Sequence, residues 1–283
     1  MDRFFVITNK NRDPGSERAI QIRDYLLSHG RTCDIAVIER DSDPESDVVR
    51  KIQALPDDTE AVIVLGGDGT FIQAAGILAP KKIPMIGVNT GHLGYLAEVD
   101  KEMITPALDK LMDGDFEIEE RMMLSGTPVI DGRCLENTYA VNDIVVKASG
   151  SSVGTFRIEV NGTYLTTVSG DGIIVATPTG STAYNMSAGG PIVEPGSSMI
   201  VITPICPLEV VSRSVVLSAA DTVVIKLMKP SGRRSRSVGA YFDGNAAIPL
   251  SDEDGVIIKK AEVSTRLIRL SRESFLEVLS RKM

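Results

Sequence analysis

Histidine and cysteine are scarce in this chain, with two of the first and three of the second in 283 residues. Cys33, Cys134 and Cys206 lie far apart, are odd in number and form no CxxC pair, which excludes a disulfide framework or a zinc site built on cysteine spacing. His29 and His92 are too few for a histidine-rich metal centre, and no protein metal-ligand set is expected. An excess of positive charge is also missing: 30 Lys and Arg stand against 38 Asp and Glu, a net charge of -8. That balance argues against a duplex nucleic-acid binder and against a basic membrane-facing surface. It leaves nucleotide binding open, because backbone amides and a few local cations can hold phosphates. No apolar run reaches membrane-spanning length and no leader pattern precedes the first strand, so the expectation is a cytoplasmic protein without nucleic-acid or membrane partners. What is present is ordinary globular material, 43% hydrophobic and 24% charged, in a length that suits one large domain or two smaller ones.

The first third alternates strand and helix. Phe4 to Thr8, Asp34 to Ile38, Ala61 to Leu65 and Pro84 to Val88 read as strands. Ser16 is placed to cap a helix with an apolar face of Ala19, Ile22, Leu26 and Leu27, stopped by Gly30. Val48, Val49, Ile52 and Leu55 mark a second helix, a third starts at about Phe71, and Ile104 to Met112 is a fourth. Such alternation implies βαβ units around a parallel sheet. The pattern changes near Asp115. From there to about Val263 the segments are short and alternating: Ile144 to Lys147, Ile173 to Ala176, Met199 to Thr203, Val223 to Leu227 and Val256 to Lys260. The clearest hairpin is FRIEVNGTYLTTV, where Asn161-Gly162 fits a type I′ turn. GRRSRS, Gly232 to Ser237, reads as a solvated hairpin tip, and Ser274 to Leu279 as a closing helix. The expected fold is an α/β N-terminal domain with a parallel sheet (residues 1–115) plus a β-rich, antiparallel, sandwich-like C-terminal domain (116–263). A last segment, 264–283, is expected to pack back on the first domain.

Within VIVLGGDGTFIQAA, Val62 to Ala75, an apolar strand leaves through three glycines around one aspartate. Glycine-rich turns let backbone N–H groups converge, and the following helix adds the positive end of its dipole. The Gly-Lys-Ser/Thr ending of a Walker loop is missing, and so is GxGxxG. Asp68 then has two readings. It caps the helix, or it works beside bound phosphates, through a cation or by accepting a proton from an attacking hydroxyl.

A second dense stretch, SGDGIIVATPTGSTAYNMSAGGP, covers residues 169–191. Thr177, Thr179, Ser181 and Thr182 can donate hydrogen bonds, Ala183 and Ala188 let a flat ring approach, and Tyr184 offers an aromatic face. Ordinary turn chemistry, with side chains bonding their own backbone, is the competing account. Asn142-Asp143, just before a strand, suits a sugar diol or a simple Asx turn.

Taken in order, GGDGT, NTGHLGYL (Asn89 to Leu96), Asn142-Asp143 and GDG…TPTGSTAY…SAGGP resemble the NAD kinase family. The resemblance runs from about Ala61 to Pro191 and continues more weakly through YFDGN, Tyr241 to Asn245. TPTGSTAY is its specific part, since GGDGT is shared with diacylglycerol, sphingosine and phosphofructokinase-like kinases. The resemblance implies transfer of the ATP γ-phosphoryl group to the 2′-hydroxyl of the adenosine ribose of NAD, giving NADP, with Mg²⁺ or another divalent cation. It also implies two domains with the nucleotide between them, and a homodimer or homotetramer. Carried over by position, Asp68 is the catalytic residue, and Gly66, Gly67, Gly69 and Thr70 form the phosphate-cradling turn. Tyr95 stands beside the base, Asn142 and Asp143 hold the adenosine portion, and Asp171 makes a polar contact to the dinucleotide. Thr182, Ala183 and Tyr184 line the base pockets, with Ser187 among the dinucleotide contacts.

Two positions depart from the family. Ser169 stands where many bacterial members have Arg or Gly, and Leu208 where a histidine is usual. Two other readings share parts of the pattern: a lipid kinase of the diacylglycerol type built on GGDGT, and a non-catalytic NAD(P)-sensing module.

Overall fold

The computed structural model describes residues 1–38, 47–90, 94–150, 152–209, 212–229, 237–245, 247–271 and 273–282. His92 and the GRRSRS run up to residue 236 lie outside the described residues. Contacts divide the chain into two compact units: Met1–Arg121 with Ser264–Met283, and Met122–Val263.

The first unit holds strands β1 (Arg3–Asn9), β2 (Thr32–Ile38), β3 (Ala61–Gly66), β4 (Met85–Asn89) and β5 (Ala97–Asp100), and helices α1 (Glu17–Ser28), α2 (Asp47–Gln53), α3 (Asp68–Leu78) and α4 (Ile104–Asp113). The strands pair in the order β2-β1-β3-β4-β5, all parallel. β1, β3 and β4 are buried along nearly their whole length, as a sheet covered on both faces requires. Ala19, Ile22 and Leu26 of α1 and Ala107, Leu108 and Leu111 of α4 cover one face, against Phe4, Val6, Ile63 and Leu65. α3 lies on β3 and β1 and touches α2.

Three local readings change. Leu27 is exposed, because the sheet takes only a narrow stripe of α1. Ser16 sits in the left-handed region, φ 56°, and its hydroxyl caps nothing. Asp13 takes over: its carboxylate accepts the N–H groups of Arg18 and Ala19, both at 3.1 Å, and the Thr8 hydroxyl at 3.2 Å. Third, α3 begins at Asp68 and not near Phe71. The extended Gly67 (φ -104°, ψ -175°) is its N-cap, and the Gly67 carbonyl accepts the amides of Thr70 and Phe71 at 3.0 and 3.2 Å.

The second unit is antiparallel. Its elements are β6 (Glu117–Ile130, entering from the first unit), β7 (Arg133–Cys134), β8 (Thr138–Ala140), β9 (Asp143–Ala148), β10 (Gly154–Val160), β11 (Thr163–Gly170), β12 (Gly172–Ala176), α5 (Tyr184–Ser187), β13 (Met199–Ile205), β14 (Val215–Ser218), β15 (Val223–Leu227), β16 (Val238–Phe242), β17 (Ile248–Leu250) and the long β18 (Gly255–Arg269). One sheet runs β11-β10-β15-β18, and β6 pairs with β18, β7 and β8; the other runs β14-β13-β12-β9-β16-β17. Alternate residues of the two sheets meet in one core, Phe156, Ile158, Ile225 and Ile258 against Ile144, Val146, Ile173 and Ile202. The expected sandwich is what forms. Asn161 and Gly162, at φ 51° and 77°, close the β10–β11 hairpin as a type I′ turn. β18 is three times the length expected for it; its first part pairs with β15, and within the first unit its Leu267 pairs with Met85. α6 (Phe275–Lys282) follows, with Ser274 and Glu277 exchanging backbone-to-side-chain hydrogen bonds as a capping box.

What matters for the site is the other face of the six-stranded sheet. Val145, Ile174, Ala176, Val201 and Ile205 form a smaller apolar layer there, covered by Ala188, Val193 and Tyr241. Period-2 alternation puts Asp143 and Lys147 on the same side of β9 as Val145.

Candidate functional site

In the first unit the chain crosses from β2 on one side of β1 to β3 on the other. The crevice outside the carboxyl ends of β1 and β3 is therefore the switch point at which open α/β sheets bind ligands. GGDGT leaves β3 at that spot. Its glycines differ in what they face. A Cβ on Gly66 would strike the Thr70 side chain, whereas at Gly67 and Gly69 it would meet no protein atom within 4 Å. Two of the three glycines therefore leave open space around the first turn of α3, where the amides of Asp68 and Gly69 precede the first intrahelical bonds. Thr90, just after β4, bonds the Gly66 carbonyl at 3.4 Å through its N–H, and its buried hydroxyl has no hydrogen-bond partner among the described residues.

Asp68 does not cap its own helix. Its Oδ2 accepts the Tyr95 N–H at 2.8 Å and its Oδ1 the Leu96 N–H at 3.1 Å. Gly94 makes room for this, since a Cβ there would overlap the Asp68 carboxylate. Asp68 and Tyr95 are both half-buried, so the carboxylate is oriented yet reachable.

In the second unit Asn142, Asp143 and the 177–184 segment converge. The Thr177 N–H bonds the Asn142 carbonyl at 2.8 Å, its hydroxyl bonds the Val141 carbonyl at 2.6 Å, and that same hydroxyl accepts the Gly180 N–H at 2.9 Å. A Cβ on Gly180 would run into the Asn142 backbone. The hydroxyls of Ser181 and Thr182 donate to Pro178 and Thr179 carbonyls, so these donors serve the turn itself. The Asn142 side-chain amide has no partner among the described residues.

Asp143 is buried, and burial followed by the charge of Asp243 pushes its carboxyl up to about 7. Tyr184 is exposed at the start of α5, and its phenol is raised by burial and then by the nearby Cys206, Asp171 and Asp143. Lys147 lies 4.9 Å from the Tyr241 ring centroid and 5.8 Å from that of Tyr184. Asp171 is exposed, anchored through its backbone to Ile205 and Ala148. Ala183 joins a short 3-10 turn to α5, and Ser187 ends α5 with its side chain exposed. The two positions that depart from the family touch each other: the Leu208 N–H donates to the Ser169 carbonyl at 2.8 Å.

Residues 5–116 match the ATP-NAD kinase N-terminal domain and residues 141–270 the ATP-NAD kinase C-terminal domain. The chain belongs to the ATP-NAD kinase family. Its relatives include the NAD kinase of Lachnospira eligens, 38% identical with both chains covered in full, and that of Lachnoclostridium phytofermentans, 37% identical over all of this chain and 99% of the other. The fold is shared with yeast NADH kinase complexed with NADH, at 23% identity and TM-score 0.82 over 99% of this chain and 86% of the other. It is also shared with an Archaeoglobus fulgidus NAD kinase in complex with ATP, at 21% identity and TM-score 0.73 over 95% and 94%. ATP-NAD kinase domains matched on both sides of the chain leave the lipid-kinase and sensing-module readings without support.

Three residues inside the ATP-NAD kinase matches escaped sequence reasoning. Asp243 binds the amides of 141–143. Lys147 sits over two tyrosine rings. Asn185, fully buried, bonds the Ser181 and Pro191 carbonyls and accepts from the Thr203 hydroxyl. The only signal for Asp243 was its place in YFDGN and for Asn185 its place in the 169–191 stretch; nothing in the sequence marked Lys147.

Proposed function

We propose that this chain transfers the γ-phosphoryl group of ATP to the 2′-hydroxyl of the adenosine ribose of NAD, forming NADP. The observation that carries the reading is the half-buried Asp68 carboxylate, aimed by the Tyr95 and Leu96 amides instead of being spent on a helix cap. A ribose hydroxyl is a poor nucleophile until an oriented carboxylate accepts its proton. Gly66, Gly67, Gly69 and Thr70 would receive the phosphates at the first turn of α3. The relatives named NAD kinase, and the fold neighbours holding NADH and ATP, support the choice of substrates.

Asn142, Asp143, Asp171, Thr182, Ala183, Tyr184 and Ser187, with Tyr95, would contact the dinucleotide. The reading assigns phosphate binding to residues 1–115, dinucleotide recognition to 116–263 and a supporting role to 264–283. Among the described residues no three His, Cys, Asp or Glu side chains gather into a metal cage. Mg²⁺ takes most of its ligands from phosphates and water and needs only one or two carboxylates. Asp68 keeps a free lone pair on each oxygen after accepting two amides and would be the protein's contribution. When bound, the ion supplies charge neutralisation at the transferring group. Cytoplasmic residence and a homodimer or homotetramer complete the reading.

Incubation with ATP and Mg²⁺ plus either NAD or diacylglycerol tests it. NADP is expected; phosphatidate, or NAD bound without turnover, overturns it. Asp68→Asn should bind NAD but lose most turnover, and Asn142→Ala should chiefly raise the KM for NAD.

A further inference from the structure

We propose that Asp243 is the positioning residue of the dinucleotide site, holding Asn142 and Asp143 in one fixed presentation; the inference rests on the NAD-phosphorylating function proposed above. Asp243 Oδ2 accepts the Val141 N–H at 2.7 Å, and its Oδ1 accepts the N–H groups of Asn142 at 2.7 Å and Asp143 at 3.1 Å. The Asp243 N–H returns a bond to the Asp143 carbonyl at 3.0 Å. Three consecutive amides around one carboxylate make a nest of the kind that elsewhere binds a free anion. Here the anion is a side chain.

The YFDGN turn is built to deliver it. Asp243 and Gly244 are left-handed at φ 51° and 73°, and the Asn245 N–H closes the turn on the Phe242 carbonyl at 3.0 Å. Aspartate is among the few residues that tolerate that backbone region. On the opposite edge, Thr177 takes the carbonyls of Val141 and Asn142, and Gly180 presses on the Asn142 backbone. Asn142 is therefore clamped from both sides. Its side-chain amide, the one polar group of that residue left without a partner among the described residues, meets a ligand in a predetermined place.

Charge adds a second effect. Asp243 has no cationic partner among the described residues and is answered by amide dipoles alone. Burial pushes it up to about 6, against the pull of those three amides. The amides favour its ionised form, whereas burial and the Asp243 charge favour the protonated form of Asp143, which presents an O–H donor where an ionised carboxylate would only accept. The titratable groups facing Asp143 are Asp243 on the β16–β17 turn and Tyr184 on α5. Lys147 and Tyr241 lie further along the same face, and Gly172–Ala176 of β12 offers none.

Asp243→Asn tests the inference. It keeps the size and the left-handed turn, removes the charge, and turns an NH₂ group toward one of the three amides. Misplacing Asn142 should raise the KM for NAD roughly tenfold or more, with the KM for ATP and kcat within about twofold. The rise in KM for NAD with pH should also begin at lower pH, because the negative neighbour that raises Asp143 is gone. A folded variant with unchanged KM for NAD, or one losing kcat with both KM values shifted alike, overturns the inference. If Asp243→Asn does not fold, Thr177→Val loosens the opposite edge and should give the same selective rise; no rise overturns it. Wild-type protein that forms no NADP in these assays would instead overturn the proposed function.

Discussion

Gly94 lacks a side chain at the point where the Asp68 carboxylate lies: a Cβ at position 94 would overlap it. The residue answers a need for space. Gly94→Ala should drive the carboxylate off the Tyr95 and Leu96 amides. A displacement of that kind at a reacting group is worth about 10²-fold in rate. Turnover with NAD and the melting temperature measure it; a variant with normal kcat would show that Asp68 has no need of that pocket.

Gly69 gives the opposite separation. It is exposed within the first turn of α3, and a Cβ there meets nothing in the protein. Gly69→Ala should stabilise the fold by about 0.5–1 kcal/mol, as alanine replaces glycine in a helix. The same methyl group would stand where phosphates are proposed to approach, so the KM for ATP should rise. Thermal unfolding and ATP-dependent kinetics on one preparation compare the two.

Acidic burial predicts a pH trend. The folded-state value of Asp143, about 7, lies above its ordinary value of 3.8, so between them the folded chain keeps a proton that the unfolded chain has released. The stability this provides is complete below about pH 4 and is lost as pH rises through about 7. Asp143→Asn should flatten the fall in melting temperature between about pH 4 and 7. An identical slope in the variant would place the proton elsewhere.

Asp13 and not Ser16 closes the start of α1. Asp13→Ala should destabilise by about 1–2 kcal/mol, because the Arg18 and Ala19 amides and the Thr8 hydroxyl lose their acceptor. Ser16→Ala should stay within about 0.5 kcal/mol. Urea midpoints of the two variants decide between the caps.

Much of this was legible along the chain. Continuous apolar runs such as Ala61–Leu65 identify strands of a covered parallel sheet, Asn161-Gly162 specifies a hairpin, and the change of pattern near Asp115 separates α/β from antiparallel structure. Other features were not. α3 starts at Asp68 because Gly67 can serve as its N-cap, a possibility the glycines concealed. β18 runs to Arg269 because it finds β15, β6 and β4 as partners, and no periodicity in AEVSTRLIR announces three neighbours.

The sequence by itself determined the alternating sheet and helix, the glycine turn, the short strands of the second half and, through the order of its motifs, the family, since each element or motif is written within about ten to twenty consecutive positions. Only the tertiary structure decided which groups aim the chemistry. Tyr95 and Leu96 hold Asp68, and Val141, Asn142 and Asp143 hold Asp243, all through backbone N–H groups. Every residue but proline carries the same N–H, so such a partner leaves no mark on the amino-acid pattern until the chain has folded.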